Sequence, residues 1–303
     1  MSKKPKLSII ILSWNTQKLL EDCLGSISRG KGYEIIVVDN ASADGSREFL
    51  KEQKGIEVIF NKKNLGFAKA NNQGVKKASG EYTLLLNSDT VVRLGALEEL
   101  LSYLEGNSEV LAVSPLLLNM DKSEQVEYYM RFPSPLRIFL YHNLLLRPLV
   151  MNTFLRYLVI SKGEENKPFV VDQLPGAALM GKTKLLKRYP LDEDYPFLFE
   201  DVDWCYRIKQ EGKGKLVVVP SAKIVHLGGG SWKQWLGEDR FKFYCHYFNS
   251  LFVFVKKHQS RKPFAYKLVL AFNFLINSLV HSIMLRFDKA RVQGRLFFWV
   301  LTS

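Results

Sequence analysis

The feature that most constrains the fold is a recurrence. Short apolar runs, each closing on an acid or an asparagine, alternate with segments of helical period. "KLSIIILSW" is a continuous apolar run of strand length, and in the following "TQKLLEDCLGSI" residues Leu19, Leu20, Cys23, Leu24 and Ile27 recur at helical spacing. "YEIIVVDN" repeats the strand pattern and ends in Asp39 and Asn40. After it "ASADGSREFLKEQ" reads as a helix with Asp44 as a candidate N-cap and with Arg47 and Phe49 inside it. "IEVIF" leads to a glycine-containing loop and helix in "NKKNLGFAKANNQGVKKASG", and "EYTLLLNSDTVV" supplies a fourth strand. "GALEELLSYLEGN" is then a helix with Leu97, Leu100, Leu101 and Leu104 on one face, followed by a strand in "EVLAVSP". Connections this long do not make hairpins, so the order predicts an α/β domain with a largely parallel sheet covered by helices on both faces.

In such sheets ligands bind beyond the carboxyl ends of the strands. Neither G-x-G-x-x-G after the first strand nor G-x-x-x-x-G-K-[ST] is present, so ordinary dinucleotide and P-loop readings lose support. Acidic side chains sit at the strand ends instead. The fourth strand closes on Asn87, Ser88 and Asp89, and Asp89 is the first candidate for a metal ligand. The plainer reading is a turn, since all three residue types hydrogen-bond their own backbone there.

Between residues 119 and 172 the pattern degrades, and within that stretch residues 128–160 carry Arg131, Arg137, Arg147 and Arg156 and no acid. It reads either as an insert that lines an acceptor pocket or touches a bilayer, or as a helical subdomain packed on the core. Order returns in "LDEDYPFLFEDVDWCYRIKQEG". There Asp194, Glu200, Asp201 and Asp203 approach the start of a helix, where acids complement the helix dipole. Glu200 and Asp201, preceded by aromatic residues, also form a candidate carboxylate pair against an apolar wall, and Asp203 is placed to pair with Arg207 one turn on. His226 ends a strand and precedes three glycines; its ring is either a metal ligand facing the cleft or a structural histidine.

Cys23, Cys205 and Cys245 lie far apart without metal-ligand spacing, which suggests reduced thiols in a cytosolic setting, and the N-terminal residues lack a signal-peptide pattern. The net charge of +13 is uneven: residues 251 to 303 carry nine Lys or Arg against the single acid Asp288. Basic character mixed with Phe, Leu, Val and Trp favours anionic lipid over nucleic acid as a partner. From 268 to 285 eighteen uncharged residues run in sequence, with Asn273, Asn277 and His281 every fourth residue beside Ser278 and Ser282. The expectation is a helix lying in the membrane interface, with Lys256, Lys257, Arg261, Lys262, Arg286, Arg291 and Arg295 reaching lipid phosphates. A true span, a buried helix and a dimer contact are the alternatives.

Seven motifs occur in order: "SIIILSWN", "VVDNASADGS", "NLGFAKANNQG", "LLLNSD", "PGAALM", "FEDVDWCYR" and "HLGGGS". Together they resemble the family 2 inverting glycosyltransferases of the GT-A fold, most closely a rhamnosyltransferase-like branch. The resemblance implies a glycosyltransferase domain over residues 1–258, with a nucleotide-binding part at 1–115 and an acceptor-side part at 116–258. Residues 259–303 then form a basic, apolar helical membrane-associating extension. It also implies that Asp39 hydrogen-bonds the donor's pyrimidine and that Ser13, Asn15, Asn64, Asn87 and Ser88 line the donor nucleotide. Asp89 and His226 would hold Mg²⁺ or Mn²⁺, although asparagine replaces the first acid of the family's metal motif. Asp201 would be the general base, with Glu200 in reserve, and Trp232 would belong either to a loop closing on the donor or to packing. The implied substrates are a dTDP- or UDP-linked sugar and a lipid-linked or glycan acceptor, at the cytoplasmic face of the cell membrane. A catalytically idle sugar-nucleotide or glycan-binding protein of the same fold, and a basic membrane or nucleic-acid scaffold, are the competing classes.

Overall fold

The structure, a computed structural model, describes residues 4–28, 32–161, 166–212, 214–228, 237, 239–259 and 263–303. The chain forms two compact units. One comprises Met1–Tyr129, Lys162–Asp194 and Glu200–Trp235, the other Met130–Ser161, Tyr195–Phe199 and Leu236–Ser303.

The first unit holds one sheet. Its elements begin β1 (Leu7–Ser13), α1 (Gln17–Ser26), β2 (Glu34–Asp39), α2 (Ser46–Glu52), β3 (Glu57–Phe60), α3 (Phe67–Lys77) and β4 (Tyr82–Asn87). These are the strands and helices expected from the periodicity, and β3-β2-β1-β4 pair in parallel as the long crossovers require. Side chains alternate across the sheet. Leu7, Ile9 and Ile11 of β1 join a core with Leu20 and Leu24 of α1 and with Leu97, Leu100 and Leu104 of α4 (Ala96–Gly106). Ile10 points the other way, onto α3. There Gly74 lets the helix approach, because a Cβ at that position would lie 2.3 Å from Ile10 Cγ2.

Beyond β4 the sheet is mixed rather than parallel. β5 (Thr90–Val92) leaves β4 at a turn, and β6 (Val110–Leu118), β7 (Phe169–Val171), β8 (Ala178–Lys182) and β9 (Lys215–His226) complete it. β8 lies antiparallel between β4 and β6, while β9 runs parallel to β6 and antiparallel to β5 and β7. The physical reason is that β8 returns from the long stretch after β6 and not from a helical crossover, so no handed connection sets its direction.

Asp44 caps, but not at the expected position: Gly45, at φ +95°, is the N-cap of α2. The Asp44 carboxylate accepts from Ser46 N at 3.1 Å and also from Gln17 N at 2.8 Å, at the start of α1. α7 (Thr183–Arg188) and α8 (Glu200–Gln210) complete the unit's helices. Glu200, Asp201 and Asp203 stand in the first turn of α8, and Asp203 pairs with Arg207 Nε at 2.6 Å as its spacing suggests. Asp194 is not at that helix start; it lies in an exposed turn and donates its N–H to Asp192.

The second unit is helical: α5 (Pro135–His142), α6 (Leu146–Met151), α9 (Arg240–His258), α10 (Pro263–Ile283) and α11 (Phe287–Thr302). Phe248, Phe254 and Tyr266 are fully buried within it. The stretch whose pattern degraded thus folds, over residues 130–161, with the C-terminal helices. The polar stripe of α10 faces inward. Asn273 Oδ1 accepts from Asn143 Nδ2 at 3.0 Å, Asn277 Oδ1 accepts from Leu144 N at 2.7 Å, and Asn277 Nδ2 donates to His142 O at 2.8 Å. The His142 carbonyl, at the end of α5 where intrahelical donors run out, is satisfied by the Asn277 amide. Arg261 and Lys262, expected to reach lipid, lie outside the described residues.

Candidate active site

Parallel register brings three strand ends together. Ser13 lies opposite Asp39, and Leu12 opposite Asn87, at the carboxyl edge of β2-β1-β4. A chain of hydroxyls links two of the expected residues: Ser13 Oγ to Thr16 Oγ1 at 3.1 Å, and Thr16 Oγ1 to Ser88 Oγ at 2.9 Å. Asn15 holds a left-handed backbone at φ +50°. Its N–H donates to Ser42 Oγ at 2.9 Å and its Oδ1 accepts from Ala43 N at 2.7 Å, tying the loop after β1 to the loop after β2. Asn64 joins through Asn40, whose Nδ2 donates to Asn64 Oδ1 at 2.8 Å.

Asp39 is fully buried and sits in an ion pair with Arg47 Nη1 at 2.9 Å. The same guanidinium donates to Asn61 O at 3.0 Å and lies 4.8 Å from the Phe60 ring centroid. Arg47 is therefore a site residue that the sequence shows only as an arginine inside a helix.

The end of the fourth strand takes the turn that its residue types suggest. Asn87, Ser88 and Asp89 do form a turn, closed by Thr90 Oγ1 donating to Asn87 O at 2.7 Å. Beyond it Thr90 pairs with His226 across β5 and β9, and Leu227 N donates to Asp89 O at 2.9 Å. Two residues far apart in sequence thus meet: Asp89 Oδ1 and His226 Nε2 are 3.4 Å apart, with Asp89 6% and His226 3% exposed.

Gln125 sets the state of that imidazole. Its Nε2 donates to His226 O at 2.6 Å and to Asn119 Oδ1 at 2.8 Å, so its Oε1 is the acceptor facing His226 Nδ1 at 3.0 Å. In the neutral ring the proton therefore resides on Nδ1, and Nε2 presents a lone pair toward the Asp89 carboxylate. In that tautomer two acceptors face each other, an arrangement that fits a cation between them; with the ring protonated the same contact is an ion pair. A nitrogen and an oxygen donor suit Mn²⁺ at least as well as Mg²⁺, the harder ion. Among the described residues no group of three or more His, Cys, Asp or Glu could hold a metal ion.

Tyr128 stands beside it, edge-on to His226 with ring centroids 5.3 Å apart. Desolvation, then the negative charges of Asp89 and Asp201, push its hydroxyl pKa above the ordinary value. Neither Gln125 nor Tyr128 carries a periodic or spacing signal. They lie just after β6, in the stretch where the pattern fails.

Asp201 and Glu200, adjacent in sequence, differ in surroundings. Asp201 is partly exposed and accepts from Gly176 N at 2.7 Å and Val202 N at 2.8 Å; burial of its carboxyl raises its pKa against those bonds. Glu200 is 5% exposed, and burial pushes it up to about 8. The folded state therefore keeps a proton on Glu200 that the unfolded state loses above 4.5. Stability is full below that point and falls as pH rises through about 8. Glu200→Gln is expected to flatten this decline, stabilising the protein above pH 8 by on the order of 5 kcal/mol. Thermal unfolding of both proteins across that window checks it. Trp232 lies outside the described residues.

Comparison with known proteins places this geometry. Residues 8–160 match glycosyl transferase family 2. An uncharacterized glycosyltransferase of Haemophilus influenzae is 30% identical over 123 residues, covering 39% of this chain and 38% of its own length. A putative teichuronic acid biosynthesis glycosyltransferase, TuaG, of Bacillus subtilis is 27% identical over 139 residues, covering 44% of this chain and 55% of its own. The matched stretch is thus about half or less of either relative. The mannosyltransferase PcManGT of Pyrobaculum calidifontis, solved with GDP-Man and Mn²⁺, superposes with a TM-score of 0.57 at 16% identity, over 98% of this chain and 88% of that one. The fold is that of the GT-A glycosyltransferases. Because the family match covers half of the chain and runs through every strand end from β1 to β6, the chain belongs to glycosyl transferase family 2.

Proposed function

We propose that this chain is a metal-dependent, inverting glycosyltransferase. It moves rhamnose or another hexose from a dTDP- or UDP-linked donor to a lipid-linked or polysaccharide acceptor in cell-surface glycan synthesis, at the cytoplasmic face of the membrane. The observation that carries the reading is the Asp89–His226 pair, with the imidazole lone pair turned toward the carboxylate by Gln125. The Pyrobaculum structure with GDP-Man and Mn²⁺ supports a nucleotide-sugar donor and a divalent ion, and the name of the Bacillus subtilis relative supports a cell-surface polymer as acceptor.

Asp89 and His226 would hold Mg²⁺ or Mn²⁺, whose charge offsets that developing on the departing diphosphate. Ser13, Asn15, Asn64, Asn87 and Ser88 line the nucleotide side. Asp39 is assigned the base contact; its carboxylate is buried against Arg47, so that contact requires the donor to uncover it. Asp201 takes the proton of the acceptor hydroxyl: its oxygens are held by two backbone N–H groups, it is partly exposed, and its raised pKa suits a base working near neutrality. Glu200, protonated up to about 8, is the poorer base and acts as its buried neighbour. A single displacement needs one base, forms no covalent sugar intermediate and inverts the anomeric centre.

The test is release of nucleoside diphosphate from a panel of dTDP-rhamnose, UDP-glucose, UDP-galactose and UDP-N-acetylglucosamine, with Mn²⁺, Mg²⁺ or chelator. Metal-dependent turnover of one donor is the expected result. Binding of a donor with no release in the presence of glycan or lipid-linked acceptors would favour the idle sugar-nucleotide-binding protein instead.

A further inference from the structure

We propose that the outward face of α10 is a lipid-binding face that lies in the plane of an anionic membrane. α10 is long and apolar enough to cross a bilayer, yet its amphipathicity is inverted. A helix on a water-facing protein surface turns its polar side out. Here the polar stripe of Asn273, Asn277 and His281 is buried. Phe264, Leu268, Phe272, Leu275, Leu279 and Ile283, spaced at four, four, three, four and four residues, are 44–81% exposed on the other side. The turn that follows adds Met284, Leu285 and Phe287, the last two 76% and 63% exposed.

The unit that carries this apolar face also carries the charge. The helical unit carries fifteen Lys and Arg against three acids, twelve of the chain's thirteen excess positive charges, on about a third of its residues. Among the described residues it also bears eighteen of the twenty-three exposed large hydrophobic side chains. Apolar side chains set among cations match an anionic headgroup layer over acyl chains. A second copy of this face would bring a like-charged unit against it. An in-plane pose follows from α5, whose His142 carbonyl and whose neighbouring Asn143 and Leu144 hold Asn273 and Asn277 of the polar stripe. Its eight residues reach about 12 Å, too short to shield that stripe across a hydrocarbon core of about 30 Å. The inference sharpens the membrane location proposed above, and its test reads lipid binding without nucleotide, so its failure leaves the transfer reading standing.

The test uses the full chain with phosphatidylcholine vesicles, with and without phosphatidylglycerol, measured by co-sedimentation. Binding is expected only with phosphatidylglycerol, and the double variant Leu275→Glu/Leu279→Glu should weaken it roughly a hundredfold. Both side chains are exposed, so its thermal unfolding should match the parent's. Tryptophan introduced by Phe264→Trp, Phe272→Trp or Ile283→Trp should, relative to the parent, be quenched equally by lipids brominated high on the chain. Absence of binding, binding unaffected by the double variant, or a midpoint tryptophan quenched only by deep bromines would overturn the proposal. So would a dimer in vesicle-free solution that the double variant dissociates.

Discussion

Asp89→Ala or His226→Ala is expected to lower donor turnover by about a thousandfold or more, while leaving the far-UV circular dichroism unchanged. A bound cation contributes several kcal/mol to stabilising developing charge, and each 1.4 kcal/mol is about a factor of ten. In the proposed reading the two side chains are the protein's share of the donor set, so loss of either would leave a single protein donor. Gln125→Leu supplies the contrast. It removes the acceptor that fixes the Nδ1–H tautomer without removing a ligand. The expected result is a 10- to 100-fold loss of apparent Mn²⁺ affinity, with turnover recovered at saturating metal. Titrating nucleoside diphosphate release against Mn²⁺ for the three variants distinguishes the roles: the ligand variants should not recover, and the glutamine variant should.

The second large effect is expected at Asp201. Asp201→Asn keeps an acceptor for Gly176 N but removes the base, so kcat should fall by about 10²- to 10⁴-fold with donor affinity unchanged. The pH profile carries the sign. A base works only when deprotonated, and because burial raises the Asp201 pKa, activity of the parent should fall on the acid side at a pH above the ordinary carboxylate range. The residual rate of Asp201→Asn should lack that limb. Glu200→Gln should retain most of the parent's kcat. Loss of turnover in Glu200→Gln with retention in Asp201→Asn would exchange the two roles.

The parallel half of the sheet was legible because helical crossovers leave few other ways to connect β1, β2, β3 and β4. The antiparallel insertion of β8 was not, since "ALMGK" reads the same in either direction and its neighbours are set by a return of the chain through some sixty residues. Asp89 and His226 stand out as chemical types at strand ends, whereas Gln125 is 101 residues from its imidazole and sits in a stretch without period. The Asp203–Arg207 pair was local, one helical turn, and could be read directly. For α10 the stripe was visible but not its direction, which its hydrogen bonds to the His142 carbonyl and the Leu144 N–H at the end of α5 decide. Arg47 illustrates the same limit: its helix was evident, but its approach to Asp39 depends on how the loop after β2 folds.

The central claim is that a divalent ion held by Asp89 and His226 couples this chain to a nucleotide sugar. Calorimetric titration of the donor panel into the purified protein, with Mn²⁺ and with chelator, tests it most directly. The account predicts that one donor binds with Mn²⁺ present, and that binding weakens sharply both in chelator and in Asp89→Ala. Failure of every donor to bind, or binding that is equal with and without the metal, would contradict it.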